Sequence, residues 1–179
     1  MRAFRRRTYT GGPAGFLEDV RFVIGNLSLI KRAMRGGEIS FRFRERLMMV
    51  VTEVNGCRYC SYYHSSQSIK AGLSSDELRV LLAGQIPVDW PPEEIPALVY
   101  ARHWAQSNAR PDFEAVHSLV ERYGDEKAAL IHSLLRLIRA ANLLGNTLDY
   151  FLYRISFGWL GLTVKDNFTG SHLRTMRKP

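Results

Sequence analysis

Apolar residues recur along this chain at intervals of three and four and nowhere in sustained alternation, a pattern that admits helices and disfavours sheets. Phe16, Val20, Val23, Ile24, Leu27 and Ile30 fall on one face of a helix read from Phe16 to Met34, which stops at Gly36-Gly37. Ser40 is placed to cap a second helix running to about Val54. Asn55-Gly56 then breaks the chain before a third helix, closed by Gly72. Ser74-Ser-Asp-Glu77 has the form of a capping box for a short helix to Gly84, and Pro91-Pro-Glu-Glu94 opens another through Trp104. Asp112 to Tyr123 follows, closed by Gly124. The last segment, Asp125 to about Phe157, carries Ala129, Leu130, Leu134, Leu137 and Ile138 at helical spacing, with Gly145 as a candidate kink. The expected fold class is all-α.

With 179 residues, 46% of them hydrophobic, the chain can bury one core, and a single domain over 1–179 is expected, with basic arms at about 1–15 and 163–179. No apolar run reads as long and charge-free enough to cross a bilayer, and no signal-peptide core follows the arginine-rich start, so a cytoplasmic location is expected. A net charge of +8 invites a nucleic-acid reading, with Arg2, Arg5, Arg6 and Arg7 at one end and Arg174, Arg177 and Lys178 at the other. Lys31, Arg32, Arg35, Arg42, Arg44 and Arg46 form a second basic zone. No motif with base-stacking aromatics accompanies them, so nucleic acid is not an expected partner; solvated helix faces or attraction of an acidic partner are. The aromatic stretch from Tyr150 to Leu160 is too apolar to stay uncovered, and a second subunit suits it better than a membrane surface because no cationic face is evident.

Both cysteines lie in Asn55-Gly-Cys-Arg-Tyr-Cys-Ser-Tyr-Tyr-His64. On a helix, Cys57, Cys60 and His64 share one stripe, so two thiols and a base face the same space. In a reducing compartment such a pair points to catalysis or metal binding rather than to a staple. A thiol attacks as thiolate, and three neighbours favour that form: the helix start after Asn55-Gly56, the Arg58 cation, and His64 as proton acceptor. The helix start taken alone favours Cys57. Two carboxylates are candidates to orient His64, Glu53 if the helix runs unbroken and Glu45 if the preceding helix folds back, and periodicity does not choose between them. A zinc site built from the two cysteines and His64, with Glu45 or Glu53 as fourth ligand, is a competing reading. His103, His117 and His132 have no partner at telling spacing. Glu53 reads as a loop-end charge, and Tyr62 and Tyr63 as packing residues or pocket walls.

Glu45, the Asn55-Gly-Cys57-x-x-Cys60-x-x-x-His64 run and Ala71-Gly72-Leu73-Ser74 together resemble the core of the alkyl hydroperoxidase D and carboxymuconolactone decarboxylase superfamily, best over 42–82. Trp90-Pro-Pro-Glu-Glu94 and Ala97-x-x-x-Ala101-Arg102 resemble the following helix more weakly, and Asn142 sits where relatives often carry an asparagine. The resemblance implies an all-α, oligomeric antioxidant peroxidase with no cofactor, in which Glu45 and His64 deprotonate Cys60. Cys60 attacks a small organic hydroperoxide, Cys57 resolves the product as a disulfide, and a thiol or dithiol reductant restores the pair. The decarboxylase branch typically lacks both cysteines. Tyr59 departs from the pattern, standing where the hydroperoxidases have a histidine. Two other functions remain open on the same fold: a non-catalytic redox-sensing or zinc-binding role, and carbon-acid proton transfer by His64 and Glu45.

Overall fold

The computed structural model describes residues 3–87, 89–163 and 166, and among these it is all-helical. Seven helices follow in order: α1 (Pro13–Gly25), α2 (Leu27–Met34), α3 (Phe41–Asn55), α4 (Arg58–Lys70), α5 (Ser75–Leu82), α6 (Ile95–Gln106) and α7 (Phe113–Ile155). α7 is two helices joined at Gly124, whose backbone (φ 74°, ψ 161°) leaves the helical region where the sequence predicts a stop. The C-terminal arm lies almost entirely outside the described residues, as does Arg2.

The expected caps are in place. Ser40 Oγ accepts the Phe43 N–H, Asp112 Oδ1 accepts the Ala115 N–H, and Ser74 and Glu77 form both halves of a capping box. Each such cap contributes about 1 kcal/mol to its helix. Other boundaries differ from expectation. The first helix is broken at Asn26 (φ −119°, ψ 22°), whose side chain donates to the Phe22 carbonyl, so one predicted helix becomes α1 and α2. α6 begins at Ile95 rather than Pro91, with Pro96 in its first turn. Of the apolar stripe predicted for the first helix, Phe16 and Ile24 of α1 and Leu27 of α2 are exposed, and the residue that α1 buries is Asp19.

α3 is the central element and packs against α4, α5, α6 and α7. Leu47, Met49 and Val51 from α3 meet Leu98 of α6 and Leu130, Leu134 and Leu135 of α7 in a core closed to solvent. Each such side chain contributes about 1.5–3 kcal/mol on burial, so α3 has little freedom to shift and α4, which follows it, inherits a fixed origin. One 18-residue window of α7 is long and apolar enough by composition to cross a membrane, contrary to the sequence expectation, but half of it is buried inside the protein, as in a core helix.

The three arginines of α3 pair with carboxylates within the protein. Arg46 is buried, pairs with Glu77 and Glu94 at 2.6 Å each, and stacks on Trp90. Arg42 binds Glu77, and Arg44 binds Glu45 and the Met34 carbonyl. Burial alone would raise the Glu77 carboxyl; the Ser74 N–H, Arg46 and Arg42 outweigh it and hold the group at about 2. Because that value lies below the unfolded one of about 4.3, the pairing stabilises fully only above about pH 5 and is lost progressively as pH falls toward about 2. Glu77→Gln is expected to flatten the acid-side decline in unfolding free energy across that window and to cost roughly 3 kcal/mol at neutral pH, measured by urea titration at a series of pH values.

Candidate active site

α3 ends because Gly56 adopts the left-handed conformation (φ 71°), which an L side chain would resist, and its N–H returns to the Thr52 carbonyl. The chain turns there and α4 starts at once, with Cys57 as its N-cap. The sulfur of Cys57 accepts the Cys60 N–H at 3.3 Å, taking the place that a serine or aspartate oxygen occupies in ordinary caps. The Cys57 and Cys60 sulfurs lie at disulfide distance, with Cα atoms 5.4 Å apart. The two cysteines differ in access: Cys57 is fully buried, whereas Cys60 is partly exposed.

Three polar residues of α7, on one stripe, hold this turn from below. Asn142 accepts from Asn55 and donates to Thr52 Oγ1, and Asn146 donates to the Asn55 carbonyl at 2.8 Å. Asp149 accepts the Tyr59 hydroxyl at 2.8 Å and Arg58 at 2.7 Å on one oxygen, and Arg6 at 2.8 Å on the other. Arg6 further donates to Asn146 Oδ1, to the Gly161 carbonyl and to Asp166. The N-terminal arm is thus part of the packed structure, and Arg6, expected among solvated tail charges, is buried. Arg58, expected as a cation beside the thiols, turns its charge to Asp149 and Tyr59 instead.

Gly145, predicted as a kink, lies inside continuous helix. Its role is contact: a Cβ there would come within 2.8 Å of Cys57 Sγ and 3.4 Å of the Tyr59 ring.

Folding α4 back along α3 answers the question of the carboxylate. Glu45, buried, places Oε2 2.7 Å from His64 Nδ1, while its Oε1 accepts Arg44 at 2.8 Å. A carboxylate accepts, so Nδ1 donates to Glu45, and in the neutral ring Nε2 bears the lone pair that faces a substrate or thiol. Glu53 is elsewhere, beside Cys57, Arg58 and Ser61 in a smaller cavity of about 210 Å³ and with its carboxyl against Gly84. Both Glu45 oxygens are engaged, and among the described residues no three His, Cys, Asp or Glu side chains converge as a metal site requires.

Cys60 and His64 open on a cavity of about 370 Å³ whose other walls are apolar: Met34, Met48, Leu137, Ile138 and the rings of Tyr59 and Tyr63. Tyr63 stands edge-on to His64, whereas Tyr62 is 84% exposed and takes no part. Of the other histidines, His132 has a partner that the sequence did not suggest, the Tyr100 hydroxyl; burial first, then Arg136, lowers its pKa. His103 lies 2.8 Å from Asp112, and His117 3.2 Å from Glu121.

A cysteine pair ahead of a histidine paired with a buried glutamate is the arrangement that the resemblance implies. Residues 25–107 match the carboxymuconolactone decarboxylase family. Over that stretch, a little under half of the chain, the sequence is similar to this family, part of the alkyl hydroperoxidase D-like superfamily. No curated protein and no solved structure matches the chain. The matched family segment runs from the end of α1 to just past α6 and so includes Glu45, both cysteines and His64. The asparagines and Asp149 that hold the turn lie beyond it. The match and the paired cysteines are compatible with redox function.

Ala is favoured over Gly inside a helix by about 1 kcal/mol, but Gly145→Ala should reverse that sign. The sulfur it strikes is fixed by its bond to Cys60 and by its capping position. The variant is expected to lose about 1–3 kcal/mol in chemical denaturation. Removing the hydroxyl that Asp149 accepts, by Tyr59→Phe, should cost about 1 kcal/mol or more in the same assay.

Proposed function

We propose that this protein is a thiol-dependent alkyl hydroperoxide reductase, or disulfide oxidoreductase, that cycles Cys57 and Cys60 between dithiol and disulfide. The observation that carries this reading is the common cavity: the more accessible sulfur of the pair shares an apolar chamber with a histidine held by a buried glutamate. Cys60 is the attacking residue. His64 Nε2 takes its proton, the thiolate attacks a peroxide oxygen, an S–O bond forms, the O–O bond breaks, and the alkoxide leaves as alcohol with the proton returned by His64. Cys57 then attacks the sulfenic acid sulfur of Cys60, water departs and the disulfide closes. An external thiolate attacks Cys60, the sulfur it can reach, and expels Cys57, whose charge is received by the Cys60 N–H and the start of α4. A second external thiol completes the return to dithiol, so one hydroperoxide and two thiols yield an alcohol, water and one external disulfide.

The chemistry requires a reducing compartment, in keeping with a cytoplasmic location. The apolar stripe of α7 formed by Leu144, Leu148, Phe151 and Ile155 is more than half exposed at every position, and it continues from Ala141 at the edge of the thiol chamber. Phe157 and Trp159 extend it. A second copy of this chain is the proposed cover.

Stopped-flow thiol loss on adding cumene hydroperoxide to reduced protein tests the reaction, with intact mass to detect the disulfide. Cys60→Ser is expected to abolish turnover, and Cys57→Ser to stall after one equivalent as a sulfenic acid or mixed disulfide; full turnover by either would refute the two-thiol cycle. Glu45→Gln should move the pH profile of Cys60 alkylation upward, and an unchanged profile would remove Glu45 from the relay. Activity that survives thiol alkylation would instead point to proton transfer by His64 and Glu45. Leu148→Glu with Phe151→Glu should yield monomers by light scattering if the stripe is the subunit interface.

A further inference from the structure

A second cavity, of about 380 Å³, lies between the N-terminal arm, the start of α1, the turn after α6 and the middle of α7. Its cationic lining is Arg7, Arg110, Arg136 and Arg139. Arg136 and Arg139 of α7 face this cavity, while Leu137, Ile138 and Ala141 face the thiol chamber, so the two spaces lie roughly 180° apart around the helix. Nothing in the redox reading uses it.

Its charge is out of balance. Arg136 pairs with Glu18 and Asp19, and Arg139 with Asp19. Arg7 donates to the carbonyls of Ala105 and Gln106 at the end of α6, and among the described residues neither it nor Arg110 meets a carboxylate. Four guanidinium groups therefore face two carboxylates. Burial first, and then the like charge of Arg139, pull the Arg7 guanidinium below its ordinary value.

The backbone around the cavity is arranged for close approach. α1 starts there from Gly12 with no side-chain cap, its first residue Pro13 has no N–H, so Ala14 and Gly15 carry its leading N–H groups, and a Cβ at Gly11 or Gly12 would meet nothing within 4 Å. On the opposite wall Asn108 and Ala109 both have positive φ, 57° and 63°. For alanine that conformation costs about 1–2 kcal/mol. The strained turn puts Asn108 Oδ1 3.1 Å from Arg139 Nη2 and carries Arg110 to the rim.

We propose that this cavity is a binding site for a small phosphate-bearing anion, its oxygens shared among the guanidinium groups of Arg7, Arg110 and Arg139 and the N–H groups at the start of α1. Planar guanidinium forks and helix-start amides are the two protein groups best matched to a tetrahedral oxyanion.

Isothermal titration of the full chain with pyrophosphate, at constant ionic strength in a chloride buffer, tests the site. Arg110→Glu and Ala14→Glu both change exposed positions, and an acidic residue in the first turn of α1 favours the helix, so both variants are expected to keep the wild-type circular dichroism. Each should weaken pyrophosphate binding by at least about tenfold, the worth of one charge-assisted contact. Cys60→Ser, across the helix, should bind as wild type does. Absence of binding by the wild-type chain overturns the proposal, as does undiminished binding by the two glutamate variants. Citrate binding as tightly as pyrophosphate would overturn the assignment to phosphate.

Discussion

The turn at Asn55-Gly56 is the constraint through which the rest of the site is assembled. It reverses the chain between two helices with no intervening loop, and three results follow. Cys57 becomes an N-cap, the first turn of α4 brings Cys60 back over it, and the second turn sets His64 against Glu45 on α3. A longer connection would leave α4 free to slide along α3, and a hydrogen bond of 2.7 Å between the two helices would not be fixed by the backbone. The turn is itself anchored by Asn142 and Asn146 from α7, buried amides whose donors and acceptors are met by α3 and the arm. Unmet, each would cost about 1–3 kcal/mol, so the same groups that position the turn also demand that it be there.

Three arginines serve this protein as internal struts. Arg6, Arg44 and Arg46 each bind a carboxylate belonging to a different helix or to the neighbouring residue, and each is largely shielded from solvent. A chain with a net charge of +8 would be read from composition alone as attracting acidic macromolecules, yet the charge of these three is directed inward. The exception is the cavity beside α1, where the arginines outnumber their carboxylate partners.

Most of the helical plan is legible in the sequence because it rests on local chemistry: Ser40, Ser74 and Asp112 announce helix starts, and Gly56, Gly72 and Gly124 announce stops. Two boundaries escape a reading by periodicity alone. The apolar spacing runs on through Gly25-Asn26, so the break between α1 and α2 is signalled only by that dipeptide, and Pro96 marks the first turn of α6 better than Pro91 does. Within the site, Cys57, Cys60, His64 and Glu45 are legible as a motif, but the choice of Glu45 over Glu53 needs the direction in which α4 folds back. The supports are the least legible. Asn142, Asn146 and Asp149 do form a polar stripe at helical spacing on an otherwise apolar helix, a sign that those positions are buried against something polar. What they face, including Arg6 from more than a hundred residues away, depends on tertiary packing, and Gly145 looks like a helix breaker until the sulfur above it is seen.

The clasp between Arg6 and Asp149 alters the standing of the chain's beginning. Residues this near a terminus are commonly treated as expendable, open to trimming by proteases or to replacement by a purification tag. Here the loss of one early arginine would leave a fully buried carboxylate with Arg58 as its remaining cation, directly beneath Tyr59 and the cysteine turn. The integrity of Arg6 is therefore a condition of how the thiol pair is held, and a chain cut beyond it is not an equivalent protein.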